Sequence, residues 1–350
     1  MGVCIMTQID RHGGGGARNQ QAGFSLTELM VATSLTLVVL ATSLGALGDG
    51  IATADLGTLV AETQQNGRAG LALMKRDLML TGQGIPAGGI PIPSGAQASP
   101  INRPGPNAMT FPSNWVVLPS ISPGADLGPA IWGRATDMVT MLYADSTLAL
   151  ADTPVDMITP DGGTMVVAVT TPIGLAGTGL RVGDFIMFTN ALGFAVQEVT
   201  SVSAQSVTFG GTDSMRFNQR NAGQGTIMQL QSSPGEFPPT TATRIWMISY
   251  YIDEPVPGNR RLIRRVNNGA ENPIALDVDD LQLTYDLVDG LNNPAGLDQA
   301  VTPHSPAQIR KVNIALTTRS SGEYRSRGYQ RRTLSTSVSL RSLSFTDRYQ

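Results

Sequence analysis

Hydrophobic and polar positions divide the chain into an apolar N-terminal stretch, a half-apolar continuation and a long series of strands. No charged side chain occurs in residues 29–48, and a helix of about 20 apolar residues is long enough to cross the hydrocarbon core of a bilayer. In residues 56–78 apolar side chains recur at steps of three and four, which predicts an amphipathic helix that packs one face on a domain. Gly82, Gly84 and Pro86 predict its end.

Four glycines lie where the apolar half of this helix meets the amphipathic half. They are Gly45, Gly48, Gly50 and Gly57. Each lowers helix stability by up to about 1 kcal/mol relative to alanine. We therefore expect a bend or some melting at this junction.

The rest of the chain predicts a strand-rich domain behind a loop region. Residues 83–135 are dense in Pro and Gly, which predicts loop with at most short strands, held to the body by Trp115 and Trp132. From residue 136 onward, apolar runs and period-two alternation indicate half-buried antiparallel strands. The predicted strands are 137–143, 164–169, 184–188, 195–199, 206–209, 244–252, 281–287, 312–316 and 334–340. The fold class is therefore α+β, with one long N-terminal helix packed on an antiparallel β domain.

Composition supports a globular protein without disulfides. The chain has 350 residues, 41% hydrophobic and 15% charged, which is typical of folded and not of disordered proteins. Its formal charge of -3 gives no indication of bulk nucleic-acid binding. The single cysteine is Cys4, in a polar leader that we place at residues 1–23, so the chain after it has no thiol for a disulfide or a metal.

The hexapeptide Gly23-Phe24-Ser25-Leu26-Thr27-Glu28 directly precedes the apolar run. A secretory signal peptide would have its cleavage site after the apolar run, whereas the polar, Gly-rich stretch here lies before it. Glu28 is an acid near the start of a membrane-spanning helix. A charge in lipid costs at least about 2.5 kcal/mol, so this acid is a candidate functional residue.

This arrangement resembles the type IV prepilin class. The resemblance implies that a membrane peptidase cuts between Gly23 and Phe24, methylates the new N-terminal Phe24 and leaves the apolar helix on the mature protein. It also implies that Glu28 pairs with the free amine of a neighbouring subunit during assembly. The alternative is an ordinary single-pass anchor that follows the hexapeptide by chance.

Further fragments resemble the PilW family of minor pilins, and the J-type pseudopilins of type II secretion share much of the same outline. The fragments are 65–78 with Gly82, 180–185, 197–200, 250–252, 261–265 and 331–341. The domain boundaries that we predict are leader 1–23, transmembrane and assembly helix 24–48, amphipathic helix 49–82, loop region 83–135 and β-rich pilin domain 136–350.

The resemblance implies a minor pilin that initiates or caps type IV pilus assembly. Its partners would be the prepilin peptidase, other minor pilins, the major pilin and the inner membrane, with no nucleic acid. Its C-terminal domain would be periplasmic before it moves to the pilus at the cell surface. The alternatives are a minor pseudopilin of type II secretion and a pilus-tip adhesin whose contact surface is 83–135.

Motifs for catalysis or cofactors are missing from the sequence. It contains no His-Glu-x-x-His and no Gly-x-Ser-x-Gly, so we expect neither an enzyme nor a cofactor, and a hydrolase on a membrane stalk lacks its catalytic set. Gly177–Gly183 is interpreted as a turn and His304 as a solvent-facing loop residue. Residues 277–298 are rich in acids that could bind calcium, but exposed acids with a hairpin turn at Asp289-Gly290 are favoured.

Basic side chains concentrate in the C-terminal part of the chain. They could contact DNA, but solvated strand edges or partner contacts are favoured. They are Arg310, Lys311, Arg319, Arg325, Arg327, Arg331 and Arg332.

Overall fold

The computed structural model describes residues 23–145, 147, 155–168, 173, 179–324 and 328–344. The predicted leader up to residue 22, with Cys4, lies outside this range, as do Val169, the first two residues of the predicted Gly177–Gly183 turn, Arg325 and Arg327. The chain divides into two compact units, Met1–Gly57 and Thr58–Gln350.

The described residues form one long helix, one helical turn and twenty strands. Helix α1 is Leu26–Leu80 and α2 is Arg341–Ser344; short 3-10 turns lie at Ile227–Leu230 and Pro306–Gln308. The strands are β1 Ile90–Pro91, β2 Asn102–Arg103, β3 Met109–Thr110, β4 Val117–Leu118, β5 Ile121–Gly124, β6 Ala130–Ile131, β7 Arg134–Ala135, β8 Met138–Ala144, β9 Met157–Ile158, β10 Thr164–Val166, β11 Phe185–Asn190, β12 Gly193–Glu198, β13 Ser201–Val202, β14 Ser206–Thr208, β15 Thr241–Val256, β16 Asn259–Val266, β17 Glu271–Leu276, β18 Val278–Leu287, β19 Ile309–Glu323 and β20 Tyr329–Ser339.

Helix α1 is continuous through the glycine-rich junction, so the expected melting there is wrong, while the bend stays a prediction. Glycine keeps its backbone N–H and C=O, and it therefore weakens a helix without removing any bond of the i to i−4 ladder. The apolar and alanine residues between these glycines are good helix formers, and they outweigh the local cost.

The strands form two main antiparallel sheets. The larger one is centred on the 16-residue strand β15, which pairs with β8 along one edge and with β11 and then β16 along the other. Strands β5, β12 and β17 extend it to seven strands, and the second sheet has the order β18-β19-β20. A four-stranded sheet (β13-β14-β10-β9) and three two-stranded pairs complete the fold.

The C-terminal half of α1 lies on the main hydrophobic core of the Thr58–Gln350 unit. Leu71, Met74 and Leu78 are buried against side chains from both main sheets. These three residues belong to the apolar stripe predicted from the sequence. The α+β fold class, a long helix followed by an antiparallel strand-rich domain, is therefore confirmed.

All nine predicted strand regions contain a strand in the described residues, but two strands of the larger sheet were missed. The missed strands are β16 and β17, which follow β15 along the chain. In β16 the arginines Arg260, Arg261, Arg264 and Arg265 interrupt the alternation of apolar and polar residues. Each of these arginines forms an ion pair with an aspartate or glutamate side chain of the protein. The charged residues of this strand are therefore not evidence that it lies in solvent.

Two buried glycines let α1 approach the sheets closely. A Cβ atom on Gly67 would lie 2.9 Å from Cδ1 of Leu334 and 3.2 Å from Cγ2 of Thr318. A Cβ atom on Gly70 would lie 3.1 Å from the Cβ of Ala275 and 3.1 Å from Cδ2 of Leu262. Such distances are tighter than ordinary carbon–carbon contacts, so larger residues at either position would push the helix away from the sheets.

Replacing Gly67 by alanine is expected to lower the free energy of unfolding by about 1–2 kcal/mol, because crowding in a packed core outweighs the gain in helix propensity. Gly57→Ala is the matched control, since it makes the same change in the same helix with no atom within 4 Å of the new Cβ. It should stabilise the protein by up to about 1 kcal/mol. Thermal unfolding of the purified chain measures both, and equal effects of the two changes would contradict the close packing at Gly67.

Asn66 binds the backbone of the outer strand β17. Its side-chain amide donates to the carbonyl oxygen of Leu276, and its Oδ1 accepts from the N–H of the same residue at 3.2 Å. Both backbone groups of Leu276 are therefore occupied by one side chain of the helix.

Residues 83–135 contain seven short strands and share a second core with the larger sheet. Ile90, Ile101 and Phe111 are buried together with residues of β8, β11 and β15. Trp115 packs against this core, as expected. Trp132 is 74% exposed at the turn between β6 and β7, and its ring lies 5.5 Å from the guanidinium of Arg260 and 5.2 Å from that of Arg331. Trp132 therefore does hold this segment to the body, through cation–π contacts with strands β16 and β20 and not through the buried core.

Candidate processing and assembly site

The predicted site residues Gly23, Phe24 and Glu28 lie together at the start of α1. Gly23, Phe24 and Ser25 precede the first helical residue, Leu26, and are exposed. The side chain of Phe24 is 85% exposed. The peptide bond between Gly23 and Phe24 is therefore outside the helix and open to another protein.

A reciprocal pair of hydrogen bonds fixes where the helix begins. The backbone N–H of Glu28 donates to Oγ of Ser25 at 3.2 Å, and the N–H of Ser25 donates to Oε2 of Glu28 at 3.4 Å. This is a capping box, in which a serine and a glutamate three residues later bind each other's backbone N–H groups. This capping role was not predicted, although the Ser-x-x-Glu spacing is itself the signal for it.

Apolar side chains cover α1 on every side in its first half. The helix contains an 18-residue window of mean hydropathy 1.9, none of it buried, and is long and apolar enough to cross a membrane. The large side chains from Leu29 to Leu47 are each more than half exposed. A helix that is hydrophobic all round is suited to lipid or to a bundle of similar helices.

Hydroxyl side chains in this apolar half bond to the helix itself. Oγ1 of Thr36 donates to the carbonyl of Ala32 at 2.7 Å, and Oγ of Ser43 donates to the carbonyl of Val39 at 2.7 Å. Thr33, Ser34 and Thr42 make similar bonds. Because an unsatisfied polar group in hydrocarbon costs several kcal/mol, these internal bonds make the segment compatible with a bilayer.

A buried acid near the other end of α1 fastens the helix to the larger sheet. Oδ2 of Asp77 accepts from the Tyr250 hydroxyl at 2.7 Å and from Nε of Arg264 at 2.6 Å. Oδ1 of Asp77 accepts from the Tyr143 hydroxyl at 3.4 Å. Asp77 is 1% exposed and lies in the last turn of α1, where the helix dipole disfavours a negative charge. The three donors compensate for both effects.

Asp77 also changes the acid–base properties of its partners. Burial would lower the pKa of Arg264, but the hydrogen bond and charge of Asp77 outweigh it, and the pKa is raised above its ordinary value. Burial and then the charge of Asp77 raise the pKa of Tyr143 to about 12. The two tyrosines therefore remain protonated donors, and the arginine remains charged, at physiological pH.

The acids predicted as possible calcium ligands are occupied by cationic side chains. Asp279 is 3% exposed and binds Nη1 of Arg260 at 2.8 Å and Nε of Arg331 at 2.6 Å. Asp286 binds Lys311 at 3.0 Å. Within the described ranges, no group of three or more His, Cys, Asp or Glu is arranged to hold a metal.

Two further interpretations of this region are corrected by the structure. Asp279 is not an exposed acid: it is buried, and the positive charges of its two arginine partners offset the cost of removing its carboxylate from water. The chain does reverse at Asp289-Gly290, since Tyr285 forms an antiparallel bridge with Leu297, but this turn does not join β18 directly to β19, which begins after residue 308. Asp289 instead caps a local turn, where Oδ1 accepts from the N–H groups of Leu291, Asn292 and Asn293.

Of the C-terminal basic residues, Arg331 and Arg332 are exposed on the outer strand β20, as expected, whereas Arg319 is buried. Arg319 and Arg331 bind the acids at the start of β18, and Arg310 donates to the carbonyls of Ala307 and Ile309. His304 was expected to face solvent, but it is half-buried and lines a cavity described below.

Comparison with known proteins identifies the N-terminal segment. The family model of the prokaryotic N-terminal methylation motif matches residues 18–44. The chain therefore carries the methylation motif of type IV prepilin-like proteins, which implies processing by a prepilin peptidase and assembly into a pilus-type structure. The finer resemblance to the PilW family stays a prediction.

Similarity over the rest of the chain is slight. A type IV-like pilin from Thermus thermophilus is 13% identical, with 46% of this chain and 89% of that chain covered, at a TM-score of 0.17. This score carries no argument about the fold. No curated protein matches the chain.

Proposed function

We propose that this protein is a minor pilin that helps to initiate or cap the assembly of a type IV pilus. The observation that carries the proposal is the exposed Gly23–Phe24 bond directly before a capped helix that is apolar on every side. After cleavage, the apolar half holds the subunit in the inner membrane, with the C-terminal domain in the periplasm. It then moves into a bundle of similar helices, with Glu28 paired to a neighbour's N-terminal amine.

The strand-rich domain acts in this proposal as a structural and partner-binding body without enzymatic activity or a cofactor. Its buried charges are consistent with that role, because Asp77 and Asp279 are engaged by arginines and are not free to act on a substrate. The partners are other minor pilins and the major pilin, reached through α1.

Cleavage between Gly23 and Phe24 is the first test. Mass spectrometry of the membrane-extracted protein should give an N-terminus at N-methylated Phe24. Gly23→Leu should leave the uncut precursor, because a bulky side chain blocks the approach of the peptidase to the backbone, whereas Gly16→Leu within the leader should not. A retained leader in the native protein, or a cut after residue 48, would refute this part of the proposal.

Deletion of the gene distinguishes a pilus subunit from a secretion pseudopilin. Loss of surface pili with normal protein secretion supports the proposal, and normal pili with lost secretion supports the type II alternative. Co-purification of the full-length chain with other minor pilins from detergent-solubilised membranes tests the partner assignment.

A further inference from the structure

A cavity of about 780 Å³ opens between the 83–135 segment and the loop that connects β18 to β19. Its walls include Arg103, Phe111 and Trp115 from the first segment and Gln299 and His304 from the second. The size is within the range of sites for small molecules. All of these residues belong to the Thr58–Gln350 unit, and the assembly role proposed above does not use them.

The residues around this cavity favour a negative ligand. None of the residues that line it is an aspartate or a glutamate. Arg103 is 5% exposed and donates to the carbonyls of Ser122 at 2.8 Å and Pro123 at 3.0 Å, and to Oγ1 of Thr140 at 3.2 Å. Within the described part of the chain it forms no ion pair with an acid. Burial lowers the pKa of Arg103 to about 10, so it keeps its charge at neutral pH.

Nearby acids in the described residues bind groups other than Arg103. Asp137 accepts from the N–H groups of Asp126 at 2.9 Å and Leu283 at 2.7 Å, and it forms no ion pair with Arg103. The Tyr285 hydroxyl is buried without a hydrogen-bond partner in the described residues. Asp126 and Asp298 are neighbours of lining residues but do not line the cavity themselves.

Aromatic rings form one wall of the cavity in a fixed layered arrangement. The guanidinium of Arg103 lies 5.3 Å from the centre of the Phe111 ring, and Phe111 stacks on Trp115 with centroids 6.1 Å apart and an angle of 27°. Phe111 is buried and Trp115 is half-buried, so the tryptophan presents the accessible part of the stack. A ring held in place loses little entropy when a flat ligand face packs on it.

The other lining groups are small and polar. Asn114, Gln299, Thr302 and His304 offer both donors and acceptors around the same space. A tryptophan surface surrounded by amides and hydroxyls suits a polyhydroxylated ring, whose C–H face packs on the aromatic and whose hydroxyls bind the amides. A carboxylate on that ring would meet the uncompensated positive charge. We propose that this cavity binds a carboxylate-bearing sugar, of the uronic acid class.

Binding of glucuronic acid to the full-length protein tests this assignment. The protein is purified in a detergent without sugar headgroups, and binding is followed by saturation-transfer NMR with glucose and acetate as comparison ligands. Glucuronic acid should bind saturably and at least about tenfold more tightly than glucose, the difference that one charge-assisted hydrogen bond provides. Added salt should weaken the binding of glucuronic acid, because it screens the charge interaction, and should leave the binding of glucose unchanged.

Two tryptophan variants provide the matched pair for this experiment. Trp115→Ala should weaken the binding of glucuronic acid by about tenfold, since packing on the aromatic ring supplies part of the affinity. Trp132→Ala removes a 74% exposed tryptophan that does not line the cavity, and it should leave binding unchanged. Thermal unfolding confirms that both variants are folded. Arg103 itself is left unchanged because of its contacts in the core.

Four outcomes would overturn the proposal. They are no saturable binding of glucuronic acid, equal binding of glucose, equal binding of acetate, and equal loss in the two tryptophan variants. Equal binding of acetate would mean a site for any carboxylate, such as an acidic peptide side chain, and not one for a sugar. The test is independent of the proposed assembly role, because it measures binding of glucuronic acid to the purified protein. Binding would support the cavity assignment even if the protein proved not to be a pilus subunit.

Discussion

Replacing Asp77 by asparagine is expected to lower the free energy of unfolding by about 3–5 kcal/mol, the usual cost of removing one partner from a buried ion pair. The change is nearly isosteric, so the loss would come from charge and hydrogen bonding and not from a cavity. The amide would direct N–H groups toward Tyr143, Tyr250 or Arg264, all of which are donors to the native carboxylate. Thermal and urea unfolding of the purified full-length chain in detergent measure the effect.

A surface ion pair and a double variant serve as controls for Asp77. Lys311→Met removes the partner of Asp286 in a pair whose lysine is 42% exposed, and it should cost less than about 1 kcal/mol. Arg264→Met leaves the Asp77 charge buried and should also be strongly destabilising. The double variant Asp77→Asn with Arg264→Met should lose less than the sum of the single changes. A loss below about 1 kcal/mol for Asp77→Asn would contradict the role given to this acid.

Replacing Glu28 by glutamine is expected to abolish or greatly reduce pilus assembly while the protein still inserts and is still cleaved. An amide costs less to bury than a charge, so membrane insertion should be preserved or eased. Glutamine also fits the third position of a capping box, so the start of α1 should be unchanged. What is lost is the negative charge that would bind the amine of a neighbouring subunit, and electrostatic attraction is strong in a low dielectric. Counts of surface pili and co-purification with other minor pilins measure the effect.

Ser25→Ala separates capping from pairing. It removes the hydroxyl that accepts from the N–H of Glu28 but keeps the carboxylate. Loss of an N-cap costs about 1 kcal/mol, so the helix start should fray while assembly continues. If Glu28→Gln cells make normal numbers of pili and the complex stays intact, Glu28 has no pairing role and only caps the helix. If Ser25→Ala reduces assembly as much as Glu28→Gln, the capping box and not the charge is what assembly requires.

Local sequence patterns predicted the helix and most strands because each depends on nearby residues. The alternation in 281–287 is visible because one face of β18 packs on the core while the other stays partly open. The apolar run after Glu28 is visible because nothing in the described chain buries it. The membrane segment and the strand-rich domain could therefore be predicted without a structure.

Long-range charge pairing could not be predicted from the same patterns. Asp77 and its partner Arg264 are 187 positions apart in the sequence, and no local pattern connects them. In an amphipathic helix an aspartate is expected on the polar face, yet this one lies in the buried stripe with Met74 and Leu78. The cavity at Arg103 was missed for a related reason: it combines two segments, each of which resembles ordinary loop.

Asn66 has a consequence for the protein at high local concentration. Strand β17 is the last strand of its sheet, and an outer strand with free N–H and C=O groups can pair with a strand of another molecule. Asn66 occupies both groups of Leu276, and Pro273 in the same strand has no N–H to offer. Pairing of this part of β17 with a strand of another molecule would first have to displace a side chain of the helix, so α1 makes this sheet edge less available for edge-to-edge aggregation.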